Sequence, residues 1–297
     1  NGKSRPLSIT TMKDRAMQTL YRLALEPIAE LTADDSSFGY RIKRSAKDAI
    51  LRCCDYLSED SSLEWVLKLD IKSCFDTISH EWLLSHIFMD KEILMKFLKC
   101  GYIDSSILYP TLEGVPQGGS ISSILCNMTL DGLDNMIVDT YGSQIHLIRY
   151  ADDILVLGTG YSFLQSIVPV VEKFLAERNL ELSKQKCEII HLKKEVTFLG
   201  WEIYKEEHQI IAVPARKSID SLLNKIITVL NNGFLSKSEL CKSLKQIIRG
   251  WLNYYNVAQQ QSIYGVEFEV ISCIYDITRD SALAEYINKI FEQYDNL

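Results

Sequence analysis

Residues 146–158 read HLIRYADDILVLG. Two apolar runs, each short enough for a strand, flank the acidic pair Asp152–Asp153, and the pattern predicts a β-hairpin with its carboxylates at the turn. An isolated Asp-Asp is usually a turn or a helix cap. The pair gains meaning from what precedes it. EWVLKLDIKSCFD, residues 64–76, is a second short apolar strand, and it ends at Asp70. Between the two, GVPQGGS at 114–120 is rich in turn formers and opens an amphipathic helix expected over 120–138. Carboxylates at strand ends of one sheet repel each other unless cations neutralise them. Magnesium, a hard ion that prefers carboxylate, water and phosphate oxygens, suits such a set. Two such ions roughly 3.5–4 Å apart can activate an attacking hydroxyl and stabilise a leaving pyrophosphate, so the pattern points to phosphoryl or nucleotidyl transfer.

Outward from these segments, apolar residues recur at helical spacing over 11–31 and 45–57, with the basic loop SFGYRIKRSA between them. Ser79 is placed to cap a helix carrying Glu81 in its first turn. A helix near 163–178 and strands near 187–193 and 196–204 complete an α+β unit, an antiparallel sheet with helices on one side. From Pro214 the pattern turns to helices, expected over 215–232, 236–256 and 266–294. The boundary is expected between 205 and 214.

Composition bounds the rest. With 47% hydrophobic and 24% charged residues, the chain of 297 residues has the makings of a folded core. Its eight cysteines include no CxxC pair and no His at zinc-ligand spacing, so they read as reduced thiols of an intracellular protein. No apolar run approaches the roughly 20 residues that span a bilayer, and no signal peptide is recognisable, so neither secretion nor a membrane partner is expected. The net charge of −7 argues at first against nucleic acid. The cations are clustered, however, around residues 3–22, around Arg41, Lys43 and Arg44, and around Lys242, Lys245 and Arg249, whereas the tail is acidic. Basic patches on an acidic body suit a cleft that grips a polyanion.

LKLDIKSCFDTISHEWL, GVPQGGSISSILCNMTLDGLD and IRYADDILVLG resemble, in order, motifs A, B and C of the group II intron reverse transcriptases. LELSKQKCEI and TFLGWEI are similar to the palm segments that follow. RPLSITTMKDRAMQTLYRLALEPI and SFGYRIKRSAKDAI resemble the finger segments that precede. SELCKSLKQIIRGWLNYYN resembles the family's thumb, or maturase, domain. The resemblance implies a right-hand polymerase: fingers over 1–65, N-terminally incomplete, a palm over 66–208 with the motif B helix interleaved, and an α-helical thumb/maturase domain over 209–297.

It also implies roles. Asp70, Asp152 and Asp153 would form the catalytic, metal-binding set, with the Ile71 carbonyl as a further ligand of two Mg²⁺ ions for which Mn²⁺ can substitute. Phe75 falls at the steric-gate position, where a ring leaves no room for a 2′ hydroxyl. Arg5, Gln117, Gly118 and Lys186 would bind the nucleotide. Phe198, Leu199, Gly200 and Trp201 match the primer grip. Arg41, Lys43, Arg44, Lys242, Lys245 and Arg249 would contact nucleic acid, while Trp251 is expected in a core. The implied reaction adds dNTPs to a DNA primer on an RNA template, with intron RNA as a further partner. A bacterial cytoplasm or an organellar matrix or stroma is the expected compartment.

The sequence departs from the family in its acidic balance, in Ser8 and Thr10 where Gly and Pro are common, and in Ile42–Lys43 where Pro-Gly is common. Two alternatives stay open: a splicing factor that binds RNA without catalysis, and a reverse transcriptase recruited to CRISPR spacer acquisition or phage defence. The oligomeric state is not legible.

Overall fold

The computed structural model describes residues 9–116, 118–142, 144–207, 209–258 and 260–295. It divides into two compact units, residues 1–191 and 192–297.

The first unit opens with α1 (Met12–Leu31), capped by Thr11, and α2 (Ala46–Glu59), which starts on a reciprocal capping box between Ser45 and Asp48. There follow β1 (Trp65–Asp70), the short α3 (Cys74–Thr77), α4 (His80–His86), α5 (Lys91–Leu98) and a hairpin of β2 (Tyr102–Asp104) with β3 (Ile107–Tyr109). As expected, Ser79 caps α4, its side chain accepting from the Trp82 amide. Next come α6 (Ser122–Leu130), α7 (Leu133–Tyr141), β4 (His146–Tyr150), β5 (Asp153–Gly158), α8 (Tyr161–Ala176) and β6 (Glu188–His191). The strands form one antiparallel sheet in the order β4-β5-β1-β6.

Register and pleat sort the side chains of this sheet. Leu67, Leu69, Leu147, Ile154 and Val156 share the face that joins the main hydrophobic core with α1, α6, α7 and α8. The alternate residues Val66, Ile148, Leu155 and Leu157 are buried too, and α2 packs against β4. Residues 36–38 lie along the outer edge of β4: the Arg149 amide donates to the Ser36 carbonyl and the Phe38 amide to the Arg149 carbonyl, both at 2.8 Å.

The long helix expected over 120–138 is two helices. Asp131 is extended and Gly132 is left-handed, with φ +90°. Tertiary bonds compensate the lost helix bonds. The Asp131 carboxylate takes Arg41 and Arg149, and the Gly132 amide donates to both oxygens of Asp34 at 3.0 Å.

The second unit begins with a separate antiparallel sheet of β7 (Val196–Phe198), β8 (Trp201–Glu206) and β9 (Gln209–Pro214), in that order. Helices α9 (Arg216–Leu230), α10 (Lys237–Tyr254), α11 (Gln260–Thr278) and α12 (Ser281–Asp295) follow. The division after His191 falls earlier than the expected 205–214, because these strands pair with each other and bond to the helices. The Tyr254 hydroxyl donates to the Leu199 carbonyl at 2.6 Å and the Tyr255 hydroxyl to the Gly200 carbonyl at 2.8 Å. The expected 266–294 helix also breaks in two, where Arg279 turns left-handed (φ +53°) and Asp280 caps α12 through the Leu283 amide.

Candidate active site

The two acidic segments meet. In the β1–β5 pairing Asp70 stands directly opposite Asp153, and Tyr150 closes the hairpin opposite the same residue. Directly opposed residues of an antiparallel pair project to the same face. By alternation, Asp70 and Asp153 lie on the face turned away from the main helical core, at the strand end, and Lys68 shares that face. Ala151 and Asp152 form the two-residue turn, and Ala151 adopts the positive φ (+56°) that such a turn requires at its first central position.

The electrostatics follow from this crowding. Burial, followed by the charges of Asp152 and Asp70, raises the Asp153 carboxyl above the usual range against the opposing pull of Lys68 and Lys186. Lys186 bonds both oxygens of Asp70, at 2.9 and 2.8 Å, with its own side chain 58% exposed. It thus supplies positive charge at the acid cluster. Ile71 is buried and extends β1 by an isolated bridge to Leu182.

These oxygen donors suit a hard divalent ion in kind. Among the described residues, however, no three His, Cys, Asp or Glu side chains are gathered at ligating distance. A cation at Asp70 would share the carboxylate with the Lys186 ammonium or displace it.

Phe75 is the second residue of α3, half-buried, one residue beyond Cys74, whose Sγ lies 3.6 Å from that of Cys126. Its carbonyl accepts from the Val115 amide at 2.6 Å, while the Gly114 amide donates to the Ile78 carbonyl at 2.8 Å. Gly114, with φ +77°, lies so close to the Asp76 carbonyl that a Cβ there would stand 2.5 Å from it. The chain entering the glycine-rich turn is therefore locked onto the segment from Phe75 to Ile78. Gly118 in that turn is exposed, with φ +95°. Gln117 and Arg5 lie outside the described residues.

One group of expected contacts is corrected by burial. The Arg41 side chain is 1% exposed; it bonds the Ala29 carbonyl and Ser37 and pairs with Glu30 and Asp131, so it does not reach a phosphate. Arg44 donates to the carbonyls of Asp35 and Ser37, at 2.8 and 2.7 Å, which makes it a loop brace. Lys43 is exposed. Arg149 is fully buried and shares Asp131 with Arg41. Its role escaped sequence reading, as did that of Tyr40, whose ring meets Phe75 edge-on. A Gly-aromatic pair in a loop between helices is the only local hint of Tyr40.

In the second unit, Phe198 and Trp201 are core residues, so the expected grip presents its Leu199–Gly200 turn instead (φ +48° and +81°). Trp251 stacks obliquely on Tyr255, at 4.5 Å, in accord with a packing role. Lys242 and Arg249 are exposed on α10 and Lys245 is half-exposed, on the flank of the buried stripe of Leu244, Ile248 and Leu252. No helix among the described residues is long and apolar enough to cross a membrane.

An acidic strand end facing an acidic hairpin, with a glycine-rich turn locked beside it, is the arrangement expected of a template-directed polymerase palm. Residues 1–203 match the family model described as reverse transcriptase (RNA-dependent DNA polymerase), and the chain belongs to that family. Residues 219–273 match the group II intron maturase-specific domain. The putative COX1/OXI3 intron 2 protein of Saccharomyces cerevisiae is 27% identical over 87% of this chain and 41% of its own length. Group II intron-encoded protein LtrA of Lactococcus lactis is 35% identical over 46% of this chain and 23% of its own. The chain thus spans less than half of either relative. Among solved structures, telomerase from Candida albicans in complex with a fragment of telomeric RNA superposes with a TM-score of 0.50 at 16% identity, over 95% of this chain and 54% of that one, a likeness of fold alone.

Proposed function

We propose that this protein is an RNA-directed DNA polymerase that extends a primer 3′ end with dNTPs on an RNA template. The observation that carries the reading is the register that sets Asp70 opposite Asp153, beside Asp152 in the turn. Asp70, Asp152 and Asp153, with the Ile71 carbonyl, would hold two magnesium ions, for which manganese can substitute; bound there, the ions would supply activation of the 3′ hydroxyl and neutralisation of the triphosphate. Lys186, more than half exposed, would leave Asp70 and follow the charge to the phosphates. Phe75 would bar a 2′ hydroxyl, and Arg5, Gln117 and the Gly118 backbone would hold the incoming nucleotide. The Leu199–Gly200 turn would hold the primer, and Lys43, Lys242, Lys245 and Arg249 would meet nucleic-acid phosphates.

The test is extension of a DNA primer on an RNA template with magnesium present. Wild type should incorporate dNTPs, and Asp152→Ala should reduce incorporation to background while its circular dichroism and unfolding midpoint stay near wild type. Equal activity in the folded variant, or none in wild type, would sink the reading.

The match of residues 219–273 to the maturase-specific domain favours a second role, binding of intron RNA to promote splicing. Rescue of splicing by Asp152→Ala protein would separate that role from polymerisation; failure of both wild type and variant to bind the RNA would exclude it.

A further inference from the structure

Tyr40 has no task in the reading above. It is 57% exposed yet left-handed, with φ +58°, a conformation costly for a bulky residue and sustained only where the surroundings dictate it. Here they do. On its N-terminal side Gly39 is pressed against the turn between β4 and β5, so closely that a Cβ would stand 2.4 Å from the Ala151 amide nitrogen. The Gly39 carbonyl accepts from Asn127 Nδ2 at 2.8 Å. On its C-terminal side Arg41 is anchored by the Ala29 carbonyl, Ser37, Glu30 and Asp131. A backbone pinned at both neighbours carries the Tyr40 ring to the edge of the Phe75 ring, with centroids 6.4 Å apart and planes at 90°.

We propose that Tyr40 is a positioning residue for sugar selection, its ring bracing Phe75 so that the gate cannot tilt away from the 2′ position of an incoming nucleotide. The proposal rests on the polymerase reading and on Phe75 as its gate. Phe75 is only half-buried where it packs against the main core, which leaves room on the uncovered side of the ring. An edge-to-face neighbour removes that room. The strain at Tyr40 has a purpose on this view: a relaxed backbone would send the side chain elsewhere.

Single-nucleotide incorporation of dTTP and of UTP opposite template adenosine measures the brace as a ratio of kcat/KM values. Tyr40→Gly and Tyr40→Asn both accept a left-handed backbone, so they remove the ring without straining the fold. The dTTP preference should fall roughly two- to tenfold in both, the range an edge-to-face pair commands, and should persist in Tyr40→Phe. In a Phe75→Ala background, Tyr40→Gly should change the ratio by less than about twofold, since the two residues act as one unit. An unchanged ratio in Tyr40→Gly and Tyr40→Asn, where Phe75→Ala lowers it, overturns the brace, and so does an equal further loss in the Phe75→Ala background. A ratio indifferent to Phe75→Ala removes the gate and the brace together. A wild-type protein that incorporates neither nucleotide removes the polymerase reading beneath them.

Discussion

Two basic clusters that look alike in the sequence have opposite fates in the fold. Around residue 41 the two arginines turn inward, while Lys43 stays exposed. Arg41 and the buried Arg149 converge on Asp131, with Asp34 also within 3.9 Å of Arg149, and these four residues knit the loop before α2 to the break between α6 and α7. Around residue 245 the cations turn outward, flanking the apolar stripe of α10. The difference lies in where carboxylates are buried. A guanidinium that meets a buried carboxylate is committed to the fold, because separating the two strands a charge away from water. One that meets no buried carboxylate, such as Arg249, which among the described residues donates only to the exposed Gln293 amide oxygen at 3.3 Å, stays available for a polyanion.

The comparison breaks most visibly at Arg41. Arg41→Met should destabilise the first unit by about 3–5 kcal/mol in urea unfolding, the range for removing one partner of a buried ion pair. Loss of less than about 1 kcal/mol, the range of an exposed pair, would show that the cluster is solvated after all. Next in size is the outward cluster. Replacing Lys242, Lys245 and Arg249 together by Ala should leave the unfolding midpoint unchanged while the slope of log K for single-stranded RNA against log salt falls by about 2, three contacts at about 0.7 each. An unchanged slope would remove these residues from the interface.

The smallest effect is on pH dependence, and it has opposite signs at Asp34 in the first unit and Asp280 in the second. Burial raises the Asp34 carboxyl above its usual range despite Arg149, so its contribution to stability is full at low pH and is lost as pH rises through the raised value. Asp280, bonded by the exposed Lys237, is lowered, so its contribution is present above the ordinary aspartate range and lost as pH falls below it. Unfolding followed from pH 3 to 7 should therefore show Asp34→Asn flattening a decline toward neutrality and Asp280→Asn flattening a decline toward acid. The same sign in both would undo the contrast.

What the sequence disclosed was local. Leu147–Ile148 and Ile154–Leu157 around two aspartates announce a hairpin because strand and turn signals lie within a dozen residues, and the Ser79 cap is legible for the same reason. What it concealed was paid out over long separations. Asp131 ends α6 early because Arg41, 90 positions away, reaches it. The run of cations around Arg41 shows its charge and hides its partner. Strand β9 falls inside the expected 205–214 boundary, where it pairs with β8 and extends a sheet that holds Trp201 in its core. Tyr40 carries no local signature beyond the glycine before it. Its position is set by a collision with Ala151, 112 positions on from Gly39.

The bonding of residues 36–38 along β4 has one more consequence. An outermost strand with unpaired amides is a template on which another chain can add, the first step toward cross-β aggregates. By occupying Arg149 from its own chain, the protein denies that edge to strangers, and a variant whose loop lets go should be marked first by insolubility.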